Sequence, residues 1–219
     1  REAKGRKTEA FNVDKVDKIA KSALAIAVRV KSDPVKALAL LEDIDNSGLS
    51  SKMLKHDMRD WKKSLVSWQT ESPSKLNSDA LLFAEARRLT KQDSKDQESS
   101  SVFEVNQTIP LLRASSHLHD LLINYPKSRF RAKSYLLLAS IYDQLPGFMI
   151  WDLGEHYLGA CIEENPHSSM GERCFEKYHE SIVLGYTGSS GTHVPSAVRQ
   201  HLTRMKELAT RKPNPSNNL

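Results

Sequence analysis

Cys161 and Cys174 are the only two cysteines in the chain, and their placement allows one specific piece of chemistry. They flank the run Ile162-Glu-Glu-Asn-Pro166-His-Ser-Ser-Met-Gly-Glu-Arg173, whose middle reads as a helix–turn–helix break. Pro166 stops one helix, and Ser169 with Glu172 three residues on reads as the capping box that starts the next. A turn centred between His167 and Ser168 puts the two thiols at mirrored positions, which fits a disulfide across a helical hairpin. Two buried, unbonded thiols are the other reading. There is no Cys-x-x-Cys, so a redox-active pair and a covalent haem attachment are both disfavoured. A structural staple implies an oxidising compartment.

The other reactive residue types are scattered. His117 and His119 are two apart, so on a helix they point to different faces. His156 with Cys161, and Cys174 with His179, are each five apart, which is poor chelate spacing. No His-Glu-x-x-His and no Gly-x-Ser-x-Gly elbow occurs, so the expectation is no metal, no cofactor and no catalytic residue. The segment Gly185-Tyr-Thr-Gly-Ser-Ser-Gly-Thr-His-Val-Pro195 is the least helix-like. It lacks a P-loop lysine, and it reads either as an ordered connector or as a contact loop offering Tyr186 and His193. Trp61, Trp68 and Trp151 are candidate anchors for a partner, with core packing as the competing reading.

Positioning these residues falls to helices. Val16, Ile19, Ala20, Ala23, Leu24, Ala27 and Val28 recur with helical period between 14 and 31. Asp33-Pro34 is an N-cap and a proline at the first helical position, and Asn46-Ser47-Gly48 ends that helix. A third helix is expected from about Ser50 to Gln69, with Trp61 and Trp68 on one side. Ser78 starts a fourth. Tyr125-Pro126 ends a later helix, and Ser128 caps one that runs to about Gln144. Helices over about 150–164 and 170–184 form the cysteine hairpin, and Pro195 opens the last. The expected organisation is a mobile basic tail at 1–12, a helical half at 13–90 and a polar linker at 91–101. A second helical half at 102–211 and a tail at 212–219 follow. The linker, Lys-Gln-Asp-Ser-Lys-Asp-Gln-Glu-Ser-Ser-Ser, contains no hydrophobe to bury.

Shifting the sequence by 40 residues lays one hairpin on another. Leu118 meets Leu158, Leu122 meets Ile162, Pro126 meets Pro166, Ser128 meets Ser168, and Tyr135 meets Phe175. Tyr125-Pro126-Lys127-Ser128, with Ala132, Leu138-Ala139 and Tyr142, resembles the tetratricopeptide-type repeat, most closely the longer-hairpin repeats of bacterial envelope proteins. The resemblance covers about residues 108–184. Its period is 40 where the usual repeat has 34, and Pro146-Gly147 is an unusual joint. It implies an all-α stack of antiparallel helical hairpins, an α-solenoid of eight or nine helices that binds protein segments.

Charge is unevenly spread. Residues 1–31 carry nine Lys/Arg against four Asp/Glu, whereas residues 151–181 carry seven acids against two bases, which suggests electrostatic docking, internally or to a partner, with a solvated basic tail as the competing reading. The basic end makes a nucleic-acid-associated helical protein the alternative function, although it lacks interleaved aromatics. No apolar run approaches the ~18 residues of a membrane span. The chain opens at Arg1, which fits either a removed leader or a trimmed sequence; a removed leader together with the cysteines reads as a periplasmic or secreted protein, with a cytoplasmic one left open. The expected function is a non-enzymatic scaffold or accessory subunit for a protein partner, within an envelope complex.

Overall fold

The computed structural model describes residues 2–72, 75–90, 107–145, 147–148, 153–189 and 191–210, with side chains from Asp14 onward. Among these the protein is all-α: nine helices, and one pair of two-residue strands where no sheet was expected. The chain forms two compact units. The first is residues 1–126 with 145–150, and the second is residues 127–144 with 151–219. Their division falls at the turn of the first sequence hairpin, between Pro126 and Lys127. The 91–101 segment, expected to separate the halves, and the 212–219 tail lie outside the described residues.

The first unit holds α1 (Glu2–Arg29), α2 (Pro34–Asn46), α3 (Lys52–Thr70), α4 (Asp79–Thr90) and α5 (Thr108–Asn124). α1 takes in residues 2–12, which the sequence reading assigned to a tail. Asp33 caps α2 by accepting from the Lys36 amide at 3.0 Å, with Pro34 at the first helical position as expected. Ser51 caps α3 by accepting from Leu54 at 2.9 Å, and Ser78 accepts from Leu81 at 3.3 Å ahead of α4. α1 packs on α2 and α5, α2 on α3, and α4 on α5. Leu24, Val28, Leu41, Leu54, Met58, Trp61, Leu65, Leu89, Leu112 and Leu118 close the core between them.

The second unit holds α6 (Arg131–Asp143), α7 (Leu153–Glu164), α8 (Ser169–Gly185), the strands β1 (Thr187–Gly188) and β2 (Gly191–Thr192), and α9 (Ser196–Ala209). α7 packs on α6, α8 and α9, and α8 also packs on α9. Leu138, Ile141, Leu158, Ile162, Leu202 and both cysteines are buried. α6 begins two residues later than a cap at Ser128 would place it. Ser128 accepts from the Phe130 amide at 3.1 Å in the turn before the helix, so it orders the approach to α6 without capping it.

Candidate functional site

The cysteine hairpin is built by a tight turn that the sequence located to within one residue. Its N-cap is Ser168, which accepts from the Gly171 amide at 3.0 Å; the expected Ser169–Glu172 box is therefore corrected by one position. Glu172 amide closes instead on the Ser168 carbonyl. The Asn165 side-chain Nδ2 donates back to the Cys161 carbonyl at 2.8 Å. His167 takes a left-handed conformation, φ 53°, unusual for a residue with a side chain. It is held there by its amide on the Leu208 carbonyl (2.9 Å) and its Nδ1 at 2.8 Å from the Thr210 carbonyl. Gly171 is required next to it: a Cβ there would run into the Asn165 carbonyl oxygen. This geometry brings Cys161 on α7 and Cys174 on α8 to disulfide-bonding distance, Cα–Cα 6.1 Å, both fully buried.

The Gly185–Pro195 segment leaves α8 at Tyr186 and turns back as a short hairpin. Thr187 pairs with Thr192 and Gly188 with Gly191, antiparallel. Thr187 Oγ1 lies 2.8 Å from the Val183 carbonyl and 2.9 Å from Thr192 Oγ1, and the His193 amide donates to the Tyr186 carbonyl at 3.0 Å. Gly191 sits at φ 103°, a conformation that favours glycine. Arg199 on α9 grips the hairpin's exit through the Val194 carbonyl at 2.8 Å. Thr187, Gly188, Thr192 and His193 are exposed, as are Leu184 and Tyr186 at the root. Between Ser181 and Val198 no residue carries a formal charge.

The tryptophans separate. Trp61 is 1% exposed and meets the Phe148 ring edge-on at 5.3 Å, so it is core, not a surface for a partner. Trp68 is half-buried beneath the Arg113 guanidinium, 4.4 Å from its ring centre. Trp151 lies outside the described residues.

Three polar clusters escaped the sequence reading because their members come from different helices. In the first unit Arg113, 8% exposed, clasps Glu71 with two bonds of 3.0 and 2.6 Å. Arg88 reaches the same carboxylate at 3.5 Å and Glu85 at 2.7 Å. Hydrogen bonds from Arg113 and Arg88 hold the Glu71 and Glu85 carboxyls below the usual range. Burial lowers His117 beside them. In the second unit Arg131 and the Tyr135 hydroxyl both bind Glu164, at 2.6 Å. Burial and that carboxylate push the Tyr135 phenol up to about 12. Tyr157 stacks between Tyr135 and Tyr142, with ring centres 6.2 and 5.4 Å away. On the far side of α8, the Tyr178 hydroxyl lies 3.0 Å from His201 Nε2, while Arg204 donates to its Nδ1 at 3.0 Å.

In the first two clusters each carboxylate is neutralised by arginine, which serves structure better than proton transfer. Among the described residues no three His, Cys, Asp or Glu side chains converge as a metal site, and no helix is long and apolar enough to cross a membrane. No family model, no curated protein and no solved structure matches this chain.

Proposed function

We propose that this chain is a helical-repeat scaffold or accessory subunit that binds a protein partner and carries out no chemistry of its own. The resemblance to tetratricopeptide-type hairpins supports the scaffold, and the cysteine pair supports an oxidising setting such as a periplasmic envelope complex. One observation carries the binding reading: the hairpin after α8 is exposed, uncharged and internally hydrogen-bonded. Its backbone pairing and the Arg199 tether hold its shape before any partner arrives, which lowers the ordering cost of association. Leu184, Tyr186 and His193 give it an apolar, an aromatic and a polar contact.

The test is Tyr186→Ala with His193→Ala. Both side chains are exposed, so stability stays within about 0.5 kcal/mol of the parent. Native pull-down from the source organism is expected to recover a discrete protein with the parent chain and to lose it with the double variant. Full recovery by a folded double variant removes the hairpin from the interface.

A further inference from the structure

α1 carries a broad apolar arc, and among the described residues only one side of that arc is buried. Ala20, Leu24, Ala25 and Val28 are buried on the side packed against α2 and α5. At about 100° per residue, Val16, Ile19, Ala23, Ile26 and Val30 form a stripe that adjoins the buried one. Ile19, Ile26 and Val30 are 59%, 55% and 70% exposed, and Val16 and Ala23 are half-buried. An ordinary surface helix shows polar residues there.

The spacing of this second stripe is 3, 4, 3, 4. That is the a/d pattern of a two-helix seam, with Val16, Ala23 and Val30 at a and Ile19 and Ile26 at d. Branched Val at two of the three a positions suits a paired helix. The seam runs for about 21 Å along α1. Its flanks are one-sided. The e positions, Ala20 and Ala27, turn inward, so only the g flank is open, and its exposed charges are Lys15 with Lys18 beyond it. The acids of this stretch are elsewhere, Asp14 at f and Asp17 accepting from the Ser51 amide at 3.2 Å.

We infer that this face of α1 docks an amphipathic helix of a partner protein whose flanking positions are acidic. Charge selects this occupant. A second copy would bring the same flank, which carries no acid for Lys15 or Lys18 to pair with. A bilayer-lying helix presents a broad face with bulky Trp, Phe or Leu, and this stripe is narrow and branched. The inference extends the partner-binding reading to the first unit, and its test is independent of the hairpin.

The probes are two labelled heptad peptides with Ile and Leu at a and d, one with Glu at e and g and one with Lys there. Anisotropy titration against the full chain is expected to show the acidic peptide binding about ten-fold or more tighter. Ile19→Asp with Ile26→Asp, both at exposed positions, is expected to abolish binding without lowering the melting temperature. Lys15→Glu with Lys18→Glu is expected to reverse the preference towards the lysine peptide. Tyr186→Ala with His193→Ala is expected to bind the acidic peptide like the parent, which separates this surface from the hairpin. Equal binding of both peptides, binding of neither, or binding that survives in the folded Ile variant overturns the proposal. So does self-association that the Ile variant abolishes, or sedimentation with phosphatidylglycerol vesicles in place of peptide binding.

Discussion

The two units are secured by different physics. In the second, a covalent bond joins α7 to α8 inside the core, and the hairpin turn between them is tied to the end of α9. In the first, helices from distant parts of the sequence meet over a charge cluster: Glu71 ends α3, Arg88 lies on α4 and Arg113 on α5. A covalent staple is indifferent to salt and to pH across the neutral range but depends on redox conditions. An ion-pair cluster is indifferent to reductant but depends on protonation. The second unit also holds the Arg131–Glu164 pair, so the covalent staple is what sets it apart, and each unit can be probed separately by hydrogen exchange resolved peptide by peptide.

The largest effect is expected at the staple. Closing a loop of this length, with sequence separation 13, removes chain entropy worth roughly 3 kcal/mol. Cys161→Ala with Cys174→Ala is expected to raise exchange throughout α7 and α8 by the corresponding margin while leaving α1 to α4 unchanged. The parent, alkylated without reductant, is expected to gain no mass at either cysteine. Protection lost equally in both units would erase the contrast between them.

Acid should act on the other unit. His119 on α5 is lowered from 6.5 to about 4, by burial first and by the Arg29 charge second. The unfolded chain therefore takes up a proton at higher pH than the folded one. The contribution of neutral His119 is complete above pH 6.5 and is lost as pH falls towards 4, on the order of 2–3 kcal/mol in all. His117 is shifted in the same direction, also by burial first. In the second unit Arg131 likewise holds Glu164 below the usual range, so acid acts there too, but that unit adds an alkaline sensitivity. Tyr135 rises from 10 to about 12, so the stability it gives is present below pH 10 and lost as pH climbs towards 12. His119→Gln is expected to flatten the decline of α5 protection between pH 6.5 and 4. An unchanged decline would assign the acid response to other groups.

What could be read in the sequence follows from distance along the chain. Helix limits set by neighbouring residues were legible, because Asp33-Pro34, Ser78 and Tyr125-Pro126 act within one turn. The cysteine staple was legible because both partners sit on one hairpin. Gly171 was not singled out, since its need arises from the Asn165 carbonyl folding back over the first turn of α8. Trp61 and Trp68 look alike at seven-residue spacing. Only the arrival of Phe148 over one and Arg113 over the other separates core from half-buried surface. The Glu71–Arg113 pair spans 42 residues, and nothing local announces it. The second face of α1 was visible as apolar residues, but an apolar stripe does not say whether anything covers it.

That long-range pair gives the smallest of the expected effects and the sharpest test of the contrast. Arg113 is almost wholly buried, with its guanidinium between Trp68 and the Glu71 carboxylate. Glu71 itself keeps a third of its side chain in solvent, so the pair is partly hydrated and its loss costs less than that of a fully buried one. Glu71→Gln keeps the shape and removes the charge, leaving Arg113 buried with only a neutral acceptor. The expected cost is about 2 kcal/mol, confined to exchange in α3, α4 and α5. Adding Arg113→Met removes the stranded cation and is expected to restore part of that loss, because an apolar side chain can occupy the site beside Trp68 without a partner. If the double variant is no more stable than Glu71→Gln alone, the penalty comes from lost packing over Trp68, and the first unit is held by its core, not by its charges.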